Sequence, residues 1–407
     1  MGNEFNFCDC KNKDNVKKGL QNENNLSQRN LLNNQAKPNI NTNVNTNPAN
    51  LNTGNVIMTH NEEIENKVKG KTNSFRNAES EADMKLYSNY GGQSNQNMSR
   101  NINAGSAKMD SNQYDSVNSR SSKIKQLKNL TGKTIAFYGD KIEGKKVGFG
   151  IQVWDNETKY VGRYNNDKAN GWGQFFAGFD VYEGEFKDDG AHGYGIYKQS
   201  TDTNYEGYWV NDSQDEIGIE KWKDGSEYRG EYKIGKKHGI GTYNWIDGSK
   251  YEGEWIDNCL EGYGIYYFPN NRIYLGHWKN NMKSGYGEFI CSDKKFFGYY
   301  EEDKKNGFGV YFWKNMKKAF MGFFKDGKQS GFGKFMTPTK KKYGIWGDNN
   351  LIVWIKEEEE ADKYLLENGL ENYTNMFHYT LDDIATFCMN NEQGEKLLEE
   401  YIKNKSD

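Results

Sequence analysis

Three groups of residues in this 407-residue chain are of types that could do chemistry: five histidines, a recurrent Gly-x-Gly, and two cysteines close to the start. His60, His192, His238, His277 and His378 stand apart from one another, and none has a sequence context for activating a nucleophile or ligating a metal. Acidic residues recur, as Glu252 and Glu254 do, at positions that read as a solvated face. No catalytic residue, metal site or cofactor is therefore expected, and the chain reads as non-enzymatic. The Gly-x-Gly asks a sharper question. In YEGEWIDNCLEGYG, residues 251–264, glycines interleave with large aromatics and end in Gly262-Tyr263-Gly264. A phosphate loop has this look, but it also needs a helix whose N-terminal amides face the anion.

The answer is repetition. The glycine of Tyr251-Glu252-Gly253 recurs as Gly139, Gly162, Gly184, Gly207, Gly230, Gly253, Gly276, Gly298, Gly322 and Gly344, at steps of 22–24 residues. The residue two before is aromatic almost throughout (Tyr205, Tyr228, Tyr251, Tyr274), and so is the residue two after (Trp209, Tyr232, Trp255, Trp278). A Gly-x-Gly follows in phase, from Gly148-Phe149-Gly150 to Gly331-Phe332-Gly333, with one altered copy at Glu216-Ile217-Gly218. Each leads into a β-rich run such as IYYF or VYFW, not a helix. The glycines are structural.

The elements that must hold these residues are strands. Side chains alternate faces along a strand, so Tyr251, Gly253 and Trp255 share one face, and the bare glycine makes room for the flanking rings. Asp224-Gly225 and Asp247-Gly248 suit hairpin turns that need positive φ. Leu is nearly absent from this stretch, so stability must come from rings packed on rings and glycines, with each unit leaning on its neighbours. Part of the aromatic surface is expected to stay exposed as a binding face. The competing reading is that lysine stems drape over the rings.

The pattern Y-x-G-x-W, a short polar loop and then Gly-x-Gly resembles the MORN repeat (membrane occupation and recognition nexus). The resemblance spans about residues 131–350 as nine units plus a closing strand at Lys342–Trp346. It implies an all-β array, an elongated single antiparallel sheet of β-hairpins, in which Gly207, Gly230, Gly253, Gly262, Gly264 and Gly276 with their flanking aromatics define the repeat. It also places a histidine before the Gly-x-Gly, where His192 and His238 stand. Nine such hairpins would span ~85 Å at ~4.8 Å per strand.

Around the array lie two other segments. Residues 1–130 are rich in Asn, Ser and Gln and carry a net charge of +5; with few large apolar residues they are expected to be disordered. Met1-Gly2 resembles an N-myristoylation start, with Cys8 and Cys10 placed for S-acylation and a modest basic cluster behind them, although Asn6 departs from the usual Ser or Thr. One acyl chain holds a membrane marginally, so a second signal is needed, and both candidates are present. The tail after Ile355 carries −9, which leaves the array at +1. With no basic stripe, nucleic acid is not an expected partner. No apolar run reaches the length of a membrane span, no secretory leader is visible, and five scattered cysteines suit a reducing compartment. Residues 351–407 show helical spacing broken at Gly369 and Gly394; YLLENGLENYTNMF resembles the opening of a sterile-alpha-motif domain. The simpler reading is a small helical cap over the array's last strand.

The functional expectation is a scaffold at the cytoplasmic face of a membrane or its cortical skeleton, tethered by N-terminal acyl groups and docking partner proteins on the array. Headgroup binding by the array itself, or service as a regulatory subunit of a membrane-bound signalling enzyme, are the alternatives. A second copy of the chain is a further candidate partner.

Overall fold

The computed structural model describes residues 132–389 together with 66–67. The acyl-anchor residues Gly2, Cys8 and Cys10, and the disorder expected of the Asn-rich segment, fall outside the described residues. Twenty strands, β1 (Thr134–Ile142) to β20 (Asn350–Ile355), belong to one antiparallel sheet. They make ten hairpins, one strand more than the sequence reading allowed. The closing strand expected at Lys342–Trp346 is β19 (Lys340–Gly347), and β20 folds back along it with Ile345 opposite Val353.

Each hairpin closes through a two-residue turn in which both residues have positive φ. Asn166-Asp167, Asp188-Asp189, Asn211-Asp212, Asp257-Asn258 and Asn280-Asn281 all do so, as do Ile234-Gly235 and Asp326-Gly327. This is the type I′ geometry whose twist matches that of the strands, and Asn, Asp and Gly adopt it at least cost. The wider loops on the other side carry the turn glycines, Gly225 at φ 92° and Gly248 at φ 82°, while Asp224 and Asp247 accept hydrogen bonds from Ser226 N and Ser249 N.

The tight turns also join one hairpin to the one before. The second turn residue donates its backbone N–H to a strand carbonyl of the preceding hairpin and accepts that residue's N–H on its side chain. Asp189 is bonded this way to Ala169 (3.0 and 2.7 Å), Asn258 to Lys237 (3.0 and 2.9 Å) and Asn281 to Leu260 (3.0 and 2.7 Å). Gly235 makes only the backbone half of this clamp, to Gln214 O. Exposed ion pairs repeat alongside, Lys168–Asp188, Lys236–Asp257, Lys304–Asp326 and Lys328–Asp348.

The described chain divides into two compact units, one running to Ile246 and including Glu254–Asn258, the other made of Asp247–Gly253 and the residues from Cys259 onward. In the first, consecutive strands from β1 to β10 (Lys236–Asn244) pair antiparallel; in the second, consecutive strands from β12 (Cys259–Tyr267) to β20 do. The second unit ends in three short α-helices, α1 (Glu358–Glu367), α2 (Thr374–His378) and α3 (Leu381–Met389). Among the described residues no helix is long and apolar enough to cross a membrane.

Candidate docking face

The two faces of the sheet differ in kind. On one, which we call the ladder face, lie the aromatics that define the repeat. Tyr160, Tyr182, Tyr205 and Tyr228 in the first unit, and Tyr274 in the second, are at most 2% exposed. Each ring lies over a facing pair of glycines. Gly230 stands opposite Gly241 beneath Tyr228, and Gly207 opposite Gly218 beneath Tyr205. A β-carbon on Gly241 would meet Tyr228 Cζ at 2.6 Å and Cε2 at 2.7 Å, so the second glycine of each Gly-x-Gly is there to admit a ring. The first glycine has another task. Gly262 has φ 59°; Gly171, Gly239 and Gly285 have φ between 58° and 87° and stand where the strand register slips against its neighbour. The latter three are bulge residues, and none of the four begins a helix.

The ring hydroxyls reach past the glycines to backbone. Tyr160, Tyr182, Tyr205 and Tyr228 donate to the carbonyls of Arg163, Glu185, Tyr208 and Glu231 at 2.9–3.0 Å, and burial pushes the Tyr205 hydroxyl well above its ordinary pKa. Trp209, Trp255 and Trp278 donate their indole N–H to the carbonyls of Gly195, Gly241 and Gly264. Within each unit, edge-to-face contacts then run from hairpin to hairpin. In the first unit Tyr205 meets Trp209 at 5.0 Å and Tyr232 at 5.3 Å, and Tyr228 meets Tyr232 at 5.2 Å and Trp255 at 5.4 Å. In the second, Tyr251 and Tyr274 flank Trp278 at 5.6 and 5.1 Å. Such arrangements favour ring pairs beyond their buried area.

This face is closed, contrary to the expectation of exposed aromatic surface. Lysine stems do the covering. Lys237, buried itself, holds its ammonium 5.1 Å from the Trp222 ring centroid and 5.3 Å from those of Tyr228 and Tyr243; Lys283 does the same over Phe268, Tyr274 and Trp278. Of the residues expected to define the repeat, Tyr205, Gly207, Trp209, Tyr228, Gly230 and Trp255 are thus packed together in the first unit, and Tyr251, Gly253, Gly264, Tyr274, Gly276 and Trp278 in the second, where Gly262 has a positive φ.

The reverse face carries the middle residue of each Gly-x-Gly and the residue opposite it. In the first unit these pairs are Trp172 with Glu185, Tyr194 with Tyr208, and Ile217 with Glu231. Trp172, Tyr208, Ile217 and Ile240 are half-buried, next to a mixture of Arg163 and Arg229 with Glu183, Glu206 and Glu227. In the second unit the equivalent pairs are Tyr263 with His277, Tyr286 with Tyr299, Phe308 with Phe323 and Phe332 with Ile345.

From Phe308 onward these pairs are covered by the tail. Tyr364 stacks on Phe332 at 5.5 Å, Phe377 meets Phe332 edge-on at 4.7 Å, and Tyr373 stacks on Phe308 at 5.4 Å. Leu365, Met376 and Ile384 complete a buried cluster with Val310, Met321 and Met336. Buried Lys334 donates to the carbonyls of Phe377 (2.6 Å) and Tyr379 (3.0 Å), and burial lowers its pKa to about 8. Glu358 accepts from Lys341 and Tyr343, which hold its carboxyl down at about 2. The helices therefore lie on a face of the sheet, over strands that include β16 (Lys304–Trp313) and β18 (Lys328–Thr337). The helical cap expected over the array's last strand is present, with α1 packed beside Tyr343, Ile345 and Ile355 of β19 and β20, and it reaches back along the face to Phe308. An edge has only backbone to offer, whereas Phe308 and Phe332 offer apolar area.

Among the described residues no cluster of three or more potential metal ligands occurs. Burial pushes the Cys388 thiol up to about 12, away from reactivity.

Among solved structures, the TCP domain of SAS-4 from Drosophila melanogaster, in complex with a proline-rich motif of Ana2, aligns at 13% identity over 48% of this chain and 83% of that one; its TM-score of 0.17 carries no argument. No curated protein matches. The MORN-repeat family profile matches eight times, at residues 137–159, 182–202, 205–227, 228–250, 251–271, 274–295, 296–315 and 320–340. The hairpin of β3 (Lys159–Asn165) and β4 (Lys168–Ala177) lies between two matched stretches and is built as they are, with Gly162 opposite Gly173 under Tyr160. The glycine-seated rings at the spacing of the matched repeats make this chain a member of the MORN-repeat family.

Proposed function

We propose that this protein is a non-enzymatic scaffold at the cytoplasmic side of a membrane, which docks partner proteins on the reverse face of its repeat sheet. MORN repeats occur in membrane-associated and protein-binding scaffolds. One observation carries the rest. In the second unit the reverse-face residues Phe308 and Phe332 are covered by the chain's own helices, while in the first the equivalent residues Trp172, Tyr208, Ile217 and Ile240 are half-buried with no described helix over them. A face that already accepts Tyr364, Phe377 and Met376 in one unit is suited to a partner's apolar side chains in the other. Its charges are mixed in sign, with Arg229 paired to Glu227 at 2.5 Å, so it favours a protein over an anionic lipid surface. Membrane attachment would be supplied by Gly2, Cys8 and Cys10.

Two substitutions test the two halves. Trp172→Ser with Ile240→Ser should abolish capture of partners while leaving the protein folded and its membrane fraction unchanged. Gly2→Ala should move the protein from the membrane to the soluble fraction while leaving capture intact. Capture unchanged by the first pair overturns the docking face, and a distribution unchanged by the second removes the anchor.

A further inference from the structure

Strand β20 is an unusual edge. It pairs with β19 on one side, and among the described residues no strand meets the other. An edge strand presents alternate N–H and C=O groups to any chain that can extend the sheet, and proteins usually blunt it with lysine, proline or a bulge. Asn350-Leu351-Ile352-Val353-Trp354-Ile355 has no charged residue and no proline. A register slip at Ile352 is its only interruption, and Ile352 and Val353 are 69% and 50% exposed. The first strand, β1, is likewise paired on one side only among the described residues, yet it carries Asp140 and Lys141.

We infer that β20 pairs antiparallel with β20 of a second copy of this chain, about a two-fold axis perpendicular to the sheet at Val353. That register sets Val353 against its own copy and, because the bulge at Ile352 puts Leu351 on the face of Trp354, Leu351 beside Trp354, with no charge facing apolar surface. The two-fold keeps the same face outward in both copies, so the sheet continues without reversing. Contact of β20 with β1 of another copy would instead set Asp140 and Lys141 beside an uncharged strand and leave ends free for further addition. A self-paired edge uses itself up and closes at two. Interfaces as small as a single strand pair belong to the weak, concentration-dependent class.

The test is sedimentation velocity of the full chain over a concentration series, with Val353→Lys, Val353→Glu and their equimolar mixture. Wild type should pass from monomer to dimer as concentration rises. Each charged variant, with unchanged circular dichroism, should self-associate at least roughly tenfold more weakly, because like charges then meet on the axis. The mixture should recover the dimer, since Lys then faces Glu. A misfolded variant would not be rescued by mixing, so recovery separates loss of pairing from loss of fold. The inference is overturned if wild type stays monomeric, if it forms species larger than two, or if the mixture remains monomeric. It is also overturned if dimers appear only after truncation at residue 389, because residues 390–407 would then be what covers this edge.

Discussion

Placing a methyl group on Gly241 probes the seat of a ladder ring in isolation. Gly241 does not have positive φ, so alanine is conformationally allowed there and its cost is purely steric. The new β-carbon would meet Tyr228 Cζ at 2.6 Å and Cε2 at 2.7 Å. That ring has little room to turn, because Tyr232 and Trp255 stand edge-on to it at 5.2 and 5.4 Å and its hydroxyl is bonded to Glu231 O. Overpacking a tight core costs ~1–3 kcal/mol, and a wedged ring places Gly241→Ala near ~3 kcal/mol. Tyr228→Ala, which empties a fully buried site, should cost ~3–5 kcal/mol. The double variant is the informative one. With the ring gone, the alanine methyl occupies part of the space it left, so the combined loss should fall short of the sum by ~2 kcal/mol. Urea unfolding followed by tryptophan emission, with amide exchange of β9 (Glu227–Lys233) and β10, would read all three. Losses that add within ~0.5 kcal/mol would refute ring-on-glycine packing as the reason for the repeat.

Other parts of the structure respond in their own ways. Glu216 occupies the bulge position that glycine fills elsewhere, at φ 55°, so Glu216→Gly should raise stability by about 0.5–1 kcal/mol in the same unfolding assay. Asn258→Gly keeps the turn and its backbone bond to Lys237 O but removes the side-chain acceptor for Lys237 N; a loss of about 1 kcal/mol is expected, with faster exchange at the Lys237 amide. The contact of Glu358 with Lys341 and Tyr343 is pH-dependent. A carboxyl held at about 2 against an ordinary 4.5 stabilises tail docking fully above 4.5 and loses that contribution as pH falls from 4.5 toward 2. Protease accessibility of the tail should rise over that window and should be flatter in Glu358→Gln.

Much of this architecture could be read from the residues, because each half of the repeat is written in its own chemistry. Tyr251-Glu252-Gly253-Glu254-Trp255 announces a strand with a ring-covered glycine, and Gly262-Tyr263-Gly264 the strand that follows it. β20 was hidden because Asn350–Ile355 contains no glycine, so nothing in phase marked it as half of a hairpin. The tight turns were visible but passed over: Asp188-Asp189, Asn211-Asp212 and Asn280-Asn281 recur in phase, yet their clamp to the preceding hairpin depends on the close approach of strands distant in sequence. Face parity was the missed signal for the docking surface. The middle residues Trp172, Phe308 and Phe332 must point away from the glycines beside them, hence away from the ladder. Which of these middle residues the tail covers, and that Lys237 and Lys283 close the ladder face, are long-range packing outcomes that local pattern does not carry.

The division of labour between the two faces can be measured directly by a paired substitution scan. Aspartate would be placed at ladder-face Tyr160, Tyr182, Tyr205 and Tyr228 and at reverse-face Trp172, Tyr208, Ile217 and Ile240, each variant read in parallel for cellular abundance and for partner proteins captured per molecule. We predict that the ladder-face changes deplete the protein, while the reverse-face changes leave its abundance intact and abolish capture. Capture per molecule that is indifferent to the reverse-face changes would contradict the account.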